Sequence, residues 1–149
     1  MKIRKIEYNE INDWASLRNK LWPEDNLALH FKEAEQMLSL PEKYCVFGCF
    51  NTEDEIIGFV EVSIRESMDR IIPERVGYIE GWYVKKQYRR KGFGKALFLV
   101  AEKWVQQKGC KEILSDTNLE NQFSQKAHQA LGYKEIDRLI LYRKILQKN

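Results

Sequence analysis

The sequence predicts an α/β domain in which a mixed sheet is flanked by helices. Three observations carry this. Apolar residues recur at helical spacing in several segments, as in Leu97, Val100, Ala101 and Trp104. Between these segments lie short runs rich in β-branched and aromatic residues, bounded by Pro, Gly, Asn and Asp. The two kinds of segment follow one another in the order β-α-α-β-β-β-α-β-α-β-β. With 149 residues, the chain is long enough to bury a core as one domain, 1–149.

Residues 2–8 (KIRKIEY) read as a short strand. From Asn12 to Trp22, Trp14, Leu17, Leu21 and Trp22 share one helical face, and Pro23 stops that helix because it lacks an N–H and has a fixed φ. A second helix carries Leu27, Phe31, Ala34 and Leu38 in phase and ends near Pro41. "YCVFGCF" (44–50) is a strand, "NTED" turns the chain, and "IIGFVEVSIR" (56–65) is the next strand. Residues 66–76 form a loop. A strand over 78–84, a basic glycine loop and a helix to about Gln107 come next, with Lys108-Gly109 as its end. "KEILS" (111–115) is a short strand. A helix over 120–131 carries Phe123, Ala127, Ala130 and Leu131, and Gly132 ends it. "LILYRKI" (139–145) is a closing strand.

Composition narrows the function classes. No apolar run approaches the roughly 20 residues of a membrane span, and "MKIRKIEY" lacks the apolar core of a secretory signal. A cytoplasmic protein is therefore expected. The three cysteines, Cys45, Cys49 and Cys110, are too sparse for a disulfide framework, and no Cys/His cluster suggests a metal. Cys45 and Cys49 share a strand face through their even spacing and read as free buried thiols. The net charge of +3 is mild, with cations gathered at Lys85 to Lys95 and near the C-terminus. One short basic patch in a chain with many acids fits a small polyanion better than nucleic acid or a membrane.

That patch is "QYRRKGFG" (87–94), between a strand and an amphipathic helix. Glycines let a ligand approach the main chain, and the first-turn N–H groups of a helix point at an anion. The segment is thus either a phosphate loop or a basic turn on a solvated surface. A Walker loop is excluded, because Ala96 follows Gly94-Lys95 and Arg89 stands at the first glycine position. A dinucleotide fingerprint is excluded by Leu97 in place of the third glycine. Arg89, Gly92 and Gly94, read as Arg-x-x-Gly-x-Gly, resemble the pyrophosphate loop of the GNAT acetyltransferases. The order of elements is similar to theirs over the whole chain, which implies a strongly twisted mixed sheet and acetyl-CoA as co-substrate. "LRNKLWP" (17–23), "YIEGWYVKKQYRRKGFG" (78–94) and "SDTNLENQFSQKAHQALGYKEIDRLILYRK" (115–144) further resemble the aminoglycoside 6'-N-acetyltransferases. That resemblance implies a cytosolic homodimer acetylating the 6'-amine of aminoglycosides. A GNAT enzyme acting on polyamines or protein amines stays open, since acidic clefts suit those acceptors too.

Acetyl transfer to an amine requires that the thioester be held, that its carbonyl oxygen meet a donor, that the amine lose a proton and that the leaving thiolate meet a donor. On the cofactor side the resemblance implies Arg89, Arg90, Lys91, Gly92, Phe93, Gly94 and Lys95 in the loop. It adds Trp82, Tyr83 and Val84 on the strand before it, and Asn121. The N–H of Tyr83 or Val84 serves the carbonyl oxygen. On the acceptor side it implies Trp22, Asp25, Glu80, Asp116, Glu135 and Asp137, with Asp116 as general base, directly or through water. Each has a plainer alternative. Glu80 is otherwise a solvated strand residue, Asp116 an N-cap for the helix in "SDTNLEN", and Trp22 a core residue. His128 stands where many relatives in the superfamily have a tyrosine. It is either a proton donor on the cofactor side, grouped with the catalytic Asp116 and Glu80, or a packed helix histidine bonded to the backbone. Met68 replaces an aromatic residue usual among relatives. Cys110 follows a helix-ending glycine and is a poor nucleophile candidate.

Overall fold

The computed structural model describes residues 1–68, 72 and 74–147. The chain divides into two compact units, Met1–Asp116 and Thr117–Asn149. The first contains β1 (Lys2–Lys5), a 3-10 turn (Tyr8–Glu10), α1 (Ile11–Leu21), α2 (Leu27–Leu38), β2 (Tyr44–Phe50), β3 (Ile56–Arg65), β4 (Val76–Val84), a second 3-10 turn (Lys86–Tyr88), α3 (Phe93–Gln107) and β5 (Ile113–Leu114). The second contains α4 (Gln122–Ala130).

The sheet runs β1-β2-β3-β4-β5, antiparallel through β4 and parallel between β4 and β5. It is a mixed sheet because α3 carries the chain from the end of β4 back to β5, and a parallel pair requires such a crossover. β3 is buried along nearly its whole length. Its alternate residues face opposite layers. Phe59 joins the core cluster of Trp14 and Leu17 from α1 and Ala34 from α2. On the other face α3 inserts Leu97, Phe98, Ala101, Trp104 and Val105. Val105 reaches so close to β4 that a Cβ at Gly77 would lie 2.5 Å from it. Cys45, Cys49 and Cys110 are free and buried, and burial pushes the Cys45 and Cys49 thiols up.

Three expectations need correction. The apolar phase of α2 is rotated. Leu27 and Phe31 are exposed, while His30 and Ala34 are buried. His30 is held inward because its Nε2 donates to the Trp22 carbonyl at 2.9 Å. Second, α4 buries none of its residues, and Phe123 is exposed. Third, the closing strand over 139–145 is not formed. That segment has no regular structure, and Leu139, Ile140, Leu141 and Tyr142 are exposed. A strand is stabilised by pairing its backbone, and 139–145 has no ladder partner among the described residues. Of the loop expected over 66–76, residues 68 and 72 form an isolated bridge, and 69–71 and 73 lie outside the described residues. Among the described residues no helix is long and apolar enough to cross a membrane.

Candidate active site

The geometry centres on β4. Its register against β3 slips at one point: Glu61 faces Gly81, and Val62 faces Ile79. Glu80 is the extra residue of a bulge, a device that re-aims side chains. Glu80 therefore turns to the α1 side of the sheet, which Glu61, Ser63 and Arg65 share by alternation along β3. There its Oε2 accepts from the Ser63 hydroxyl at 2.5 Å and from Arg65 Nε at 3.1 Å. Arg65 Nη2 donates to both carboxylate oxygens at 3.0 Å. Glu80 is thus a paired, half-buried acid and not a solvated strand residue.

Arg65 also lies over the Tyr78 ring, 3.6 Å from its centre. The Tyr78 hydroxyl donates to the Asp116 carboxylate. Burial first, and then that bond, push the Tyr78 phenol well above its ordinary range, so it stays a donor. Asp116 follows β5 and is exposed. It caps no helix, since α4 starts at Gln122 and takes its cap from the Asn121 side chain, which accepts from Ser124 N–H at 3.0 Å. One cation, Arg65, so links the two carboxylates through Glu80 and Tyr78. An open cavity of about 580 Å³ adjoins Glu80 and Arg65. Its walls mix Glu42 and Glu66 with Lys43, Arg75 and Lys108.

Trp22 caps α1 at the same end of β4. It is half-buried, stacks on His30 at 6.2 Å between ring centres, and approaches Gly81 so closely that a Cβ there would lie 2.5 Å from its Cη2. Asp25 closes the following turn, its N–H on the Trp22 carbonyl at 3.3 Å.

The other side of β4 is a main-chain site. β5 pairs with Gly77 and Tyr78 only, so β4 runs on from Ile79 to Val84 beyond that ladder. The Lys85 N–H donates across to Ile57 at 2.8 Å. By alternation the Tyr83 N–H also faces β3, and the Val84 N–H faces the open edge. Arg89 Nε donates to the Val84 carbonyl at 2.7 Å and ties the loop to the strand. Gly92 is the N-cap of α3 at φ 86°, a left-handed conformation that glycine adopts without strain. A Cβ there would meet nothing within 4 Å, and no side chain caps the helix. The first-turn N–H groups from Phe93 to Lys95 are therefore presented outward beside the exposed Arg90, Lys91 and Lys95. Gly94 serves packing instead: a Cβ would lie 2.6 Å from Trp82, whose ring stands edge-on to Phe98 at 4.8 Å. Trp82 therefore faces α3, away from Glu80.

In the second unit, His128 Nδ1 lies 2.7 Å from the Ser124 carbonyl and its ring is edge-on to Tyr133. A carbonyl only accepts, so Nδ1 carries the proton. Glu135 pairs with Arg138, which holds the Glu135 carboxyl below its ordinary range, and Asp137 accepts from the Arg138 N–H at 2.8 Å. The residues that sequence reasoning missed are Arg65, Tyr78, Arg18 and Glu61. A signal existed: Glu61, Ser63 and Arg65 are polar at every second position of an otherwise apolar strand. Among the described residues no His, Cys, Asp and Glu side chains cluster as a metal ion would need.

The acetyltransferase (GNAT) family model matches residues 9–133. The aminoglycoside N(6')-acetyltransferase type 1 of Klebsiella aerogenes is 36% identical over 97% of this chain and 96% of its own length. That of Salmonella typhimurium is 34% identical over 97% of this chain and 99% of its own. The solved structure of AAC(6')-Iy with the bisubstrate analog CoA-S-monomethyl-acetylneamine superposes with a TM-score of 0.88 at 34% identity, covering 97% of this chain and 98% of that one. With the bulged β4 and the glycine-capped α3 in place, this chain belongs to the GNAT acetyltransferase family.

Proposed function

We propose that the chain is an aminoglycoside 6'-N-acetyltransferase that moves an acetyl group from acetyl-CoA to the 6'-amine by direct attack. One observation carries the reading. The same strand runs past its β5 ladder into an anion cradle, and on its α1 side carries a bulged Glu80 tied through Arg65 and Tyr78 to Asp116. Full-length relatives whose names carry this activity support it.

The residues present fit the co-substrate. The uncapped first turn of α3, the open space at Gly92 and the cations Arg90, Lys91 and Lys95 suit a pyrophosphate. When bound, acetyl-CoA supplies an activated acetyl group. The Val84 N–H, on the open edge, is the donor for its carbonyl oxygen. Trp82, Tyr83 and Phe93 shape the strand and loop that hold it, and the family resemblance adds Asn121 as a cofactor contact. Glu80 and Asp116 take the cationic acceptor, Trp22 packs on a sugar ring and Asp25 adds negative charge, while the family resemblance assigns Glu135 and Asp137 to acceptor binding. Asp116 takes the amine proton, directly or through water, while Tyr78 fixes the carboxylate. His128, with its proton on Nδ1, donates from Nε2 only as the imidazolium. The enzyme is cytoplasmic and homodimeric. Its exposed run Leu139, Ile140, Leu141 and Tyr142 gives a second copy an apolar strip to cover.

The test measures CoA release from acetyl-CoA with kanamycin or tobramycin against spermidine and a lysine peptide. Release with the aminoglycosides alone is expected. Release with spermidine or the peptide alone would make this an enzyme of polyamines or protein amines. For the dimer, sedimentation of a chain ending at 138 is expected to give a monomer.

A further inference from the structure

We propose that Arg18 and Glu61, a buried ion pair in contact with no part of the cofactor cradle, are positioning residues for the acceptor, acting through Trp22. The inference rests on the reading of Trp22 as an acceptor surface.

Arg18 lies on α1 and Glu61 on β3, at 2% and 0% exposure. Arg18 Nη1 meets Glu61 Oε2 at 2.6 Å, and Arg18 Nη2 meets Glu33 Oε2 on α2 at 2.5 Å. The Trp14 indole N–H donates to the same Glu61 oxygen at 2.9 Å. One guanidinium so joins α1, α2 and β3. Its carbon also sits 4.9 Å from the Trp22 ring centre. Trp22 is fixed at its main chain as well. Its N–H donates to the Arg18 carbonyl at 2.8 Å and its own carbonyl accepts from His30. The far edge of the indole ends at Gly81, the residue after Glu80, and a Cβ there would stand 3.1 Å from Glu61 Oε1.

Stability alone does not account for this pair. Desolvating two charges costs free energy that an apolar pair of similar volume would not incur. The cost is increased here because, among the described residues, Glu61 Oε1, Arg18 Nε and His30 Nδ1 have no hydrogen-bond partner. Burial pushes the Glu61 carboxyl up, against the pull of Arg18 and Trp14. What the arrangement gains is direction. An indole held by a planar cation and a ring stack, with its edge against a glycine, has one place to lie beside Glu80. Gly81 belongs to the same device, since any larger residue would expel the ring.

The experiment replaces the pair by apolar residues, Arg18→Met with Glu61→Leu, in wild-type and Trp22→Ala backgrounds, and reads both Michaelis constants. The aminoglycoside KM is expected to rise about ten-fold in the wild-type background, with the acetyl-CoA KM within about two-fold. In the Trp22→Ala background the same replacement is expected to add nothing. An equal rise in both constants, no rise, or the same rise without Trp22 would overturn the proposal. If the pair variant does not fold, Gly81→Ala displaces the ring while keeping both charges of the pair, and must raise the aminoglycoside KM selectively; an unchanged KM overturns the proposal equally. Wild-type protein that releases no CoA with aminoglycosides would instead sink the functional reading itself.

Discussion

The two sides of β4 are built on opposite principles. On the side proposed for the cofactor the groups presented are main-chain atoms: the Val84 N–H, the first turn of α3 and the left-handed Gly92. Its cationic side chains Arg90, Lys91 and Lys95 are exposed. On the side proposed for the acceptor the groups presented are side chains, each bonded to another: Ser63 and Arg65 to Glu80, Tyr78 to Asp116, Arg18 to Glu61. A main-chain site depends on local conformation and tolerates changes in its decoration. A side-chain network depends on every partner, because removing one leaves the other unsatisfied. Substitutions should therefore separate by side, each moving one substrate's constants and sparing the other's.

Asp116→Asn tests this most severely. It keeps the shape and removes the base, so kcat with an aminoglycoside should fall by about 10²–10⁴-fold. Acetyl-CoA binding, read by calorimetry, should be nearly unchanged. Loss of both would take Asp116 out of the base role and end the separation between the two sides. The converse is Gly94→Val. Its Cβ would start 2.6 Å from Trp82, and overpacking of this kind costs about 1–3 kcal/mol. Because the strain falls on the start of α3, acetyl-CoA KM should rise while the aminoglycoside KM holds. A rise in both would mean that Trp82 transmits strain through β4 to Glu80.

The same contrast explains what could be read from the sequence. The loop proposed for the cofactor lies within 87–94, where spacing excludes the Walker and dinucleotide motifs and the resemblance of Arg-x-x-Gly-x-Gly to the GNAT loop supplies the reading. β2 and β3 were legible to the residue because their bounds are set by the local turn between them. The acceptor network was not, since Tyr78 and Asp116 are brought together by β4–β5 pairing, and Arg18 reaches Glu61 across the stacking of α1 on β3. Nor could sequence reveal the bulge at Glu80, which is a property of register between strands. The strand expected over 139–145 failed for a related reason: its apolar pattern is real, but a pattern does not supply the ladder partner.

Tyr78→Phe has a smaller expected effect. It removes one hydrogen bond to an exposed carboxylate, worth about 0.5–1.5 kcal/mol, so kcat should fall by a few-fold at most. Since the phenol is held above its ordinary range, it stays protonated through neutral and mildly alkaline pH. The alkaline limb of the kcat/KM profile should keep its position in the variant. A shifted limb would mean that Tyr78 itself titrates in the reaction.

Smallest of all is a substitution that belongs to neither side. Arg4 donates to both oxygens of Glu10 at 2.8 Å, joining β1 to the turn before α1. The pair holds the Glu10 carboxyl below its ordinary 4.5, mainly through that bond. The folded chain then binds fewer protons than the unfolded chain between the two values. The stabilisation is complete above the ordinary carboxylate value and is lost as pH falls through the lowered one. At a partly exposed site this contribution is under about 1 kcal/mol and is screened by salt. Arg4→Met should therefore lower the urea midpoint slightly at neutral pH, with the difference vanishing in acid, while both Michaelis constants stay put. A change in either constant would show that the first strand and the turn after it, remote from β4 in the sheet order, still set the geometry on one side of the site.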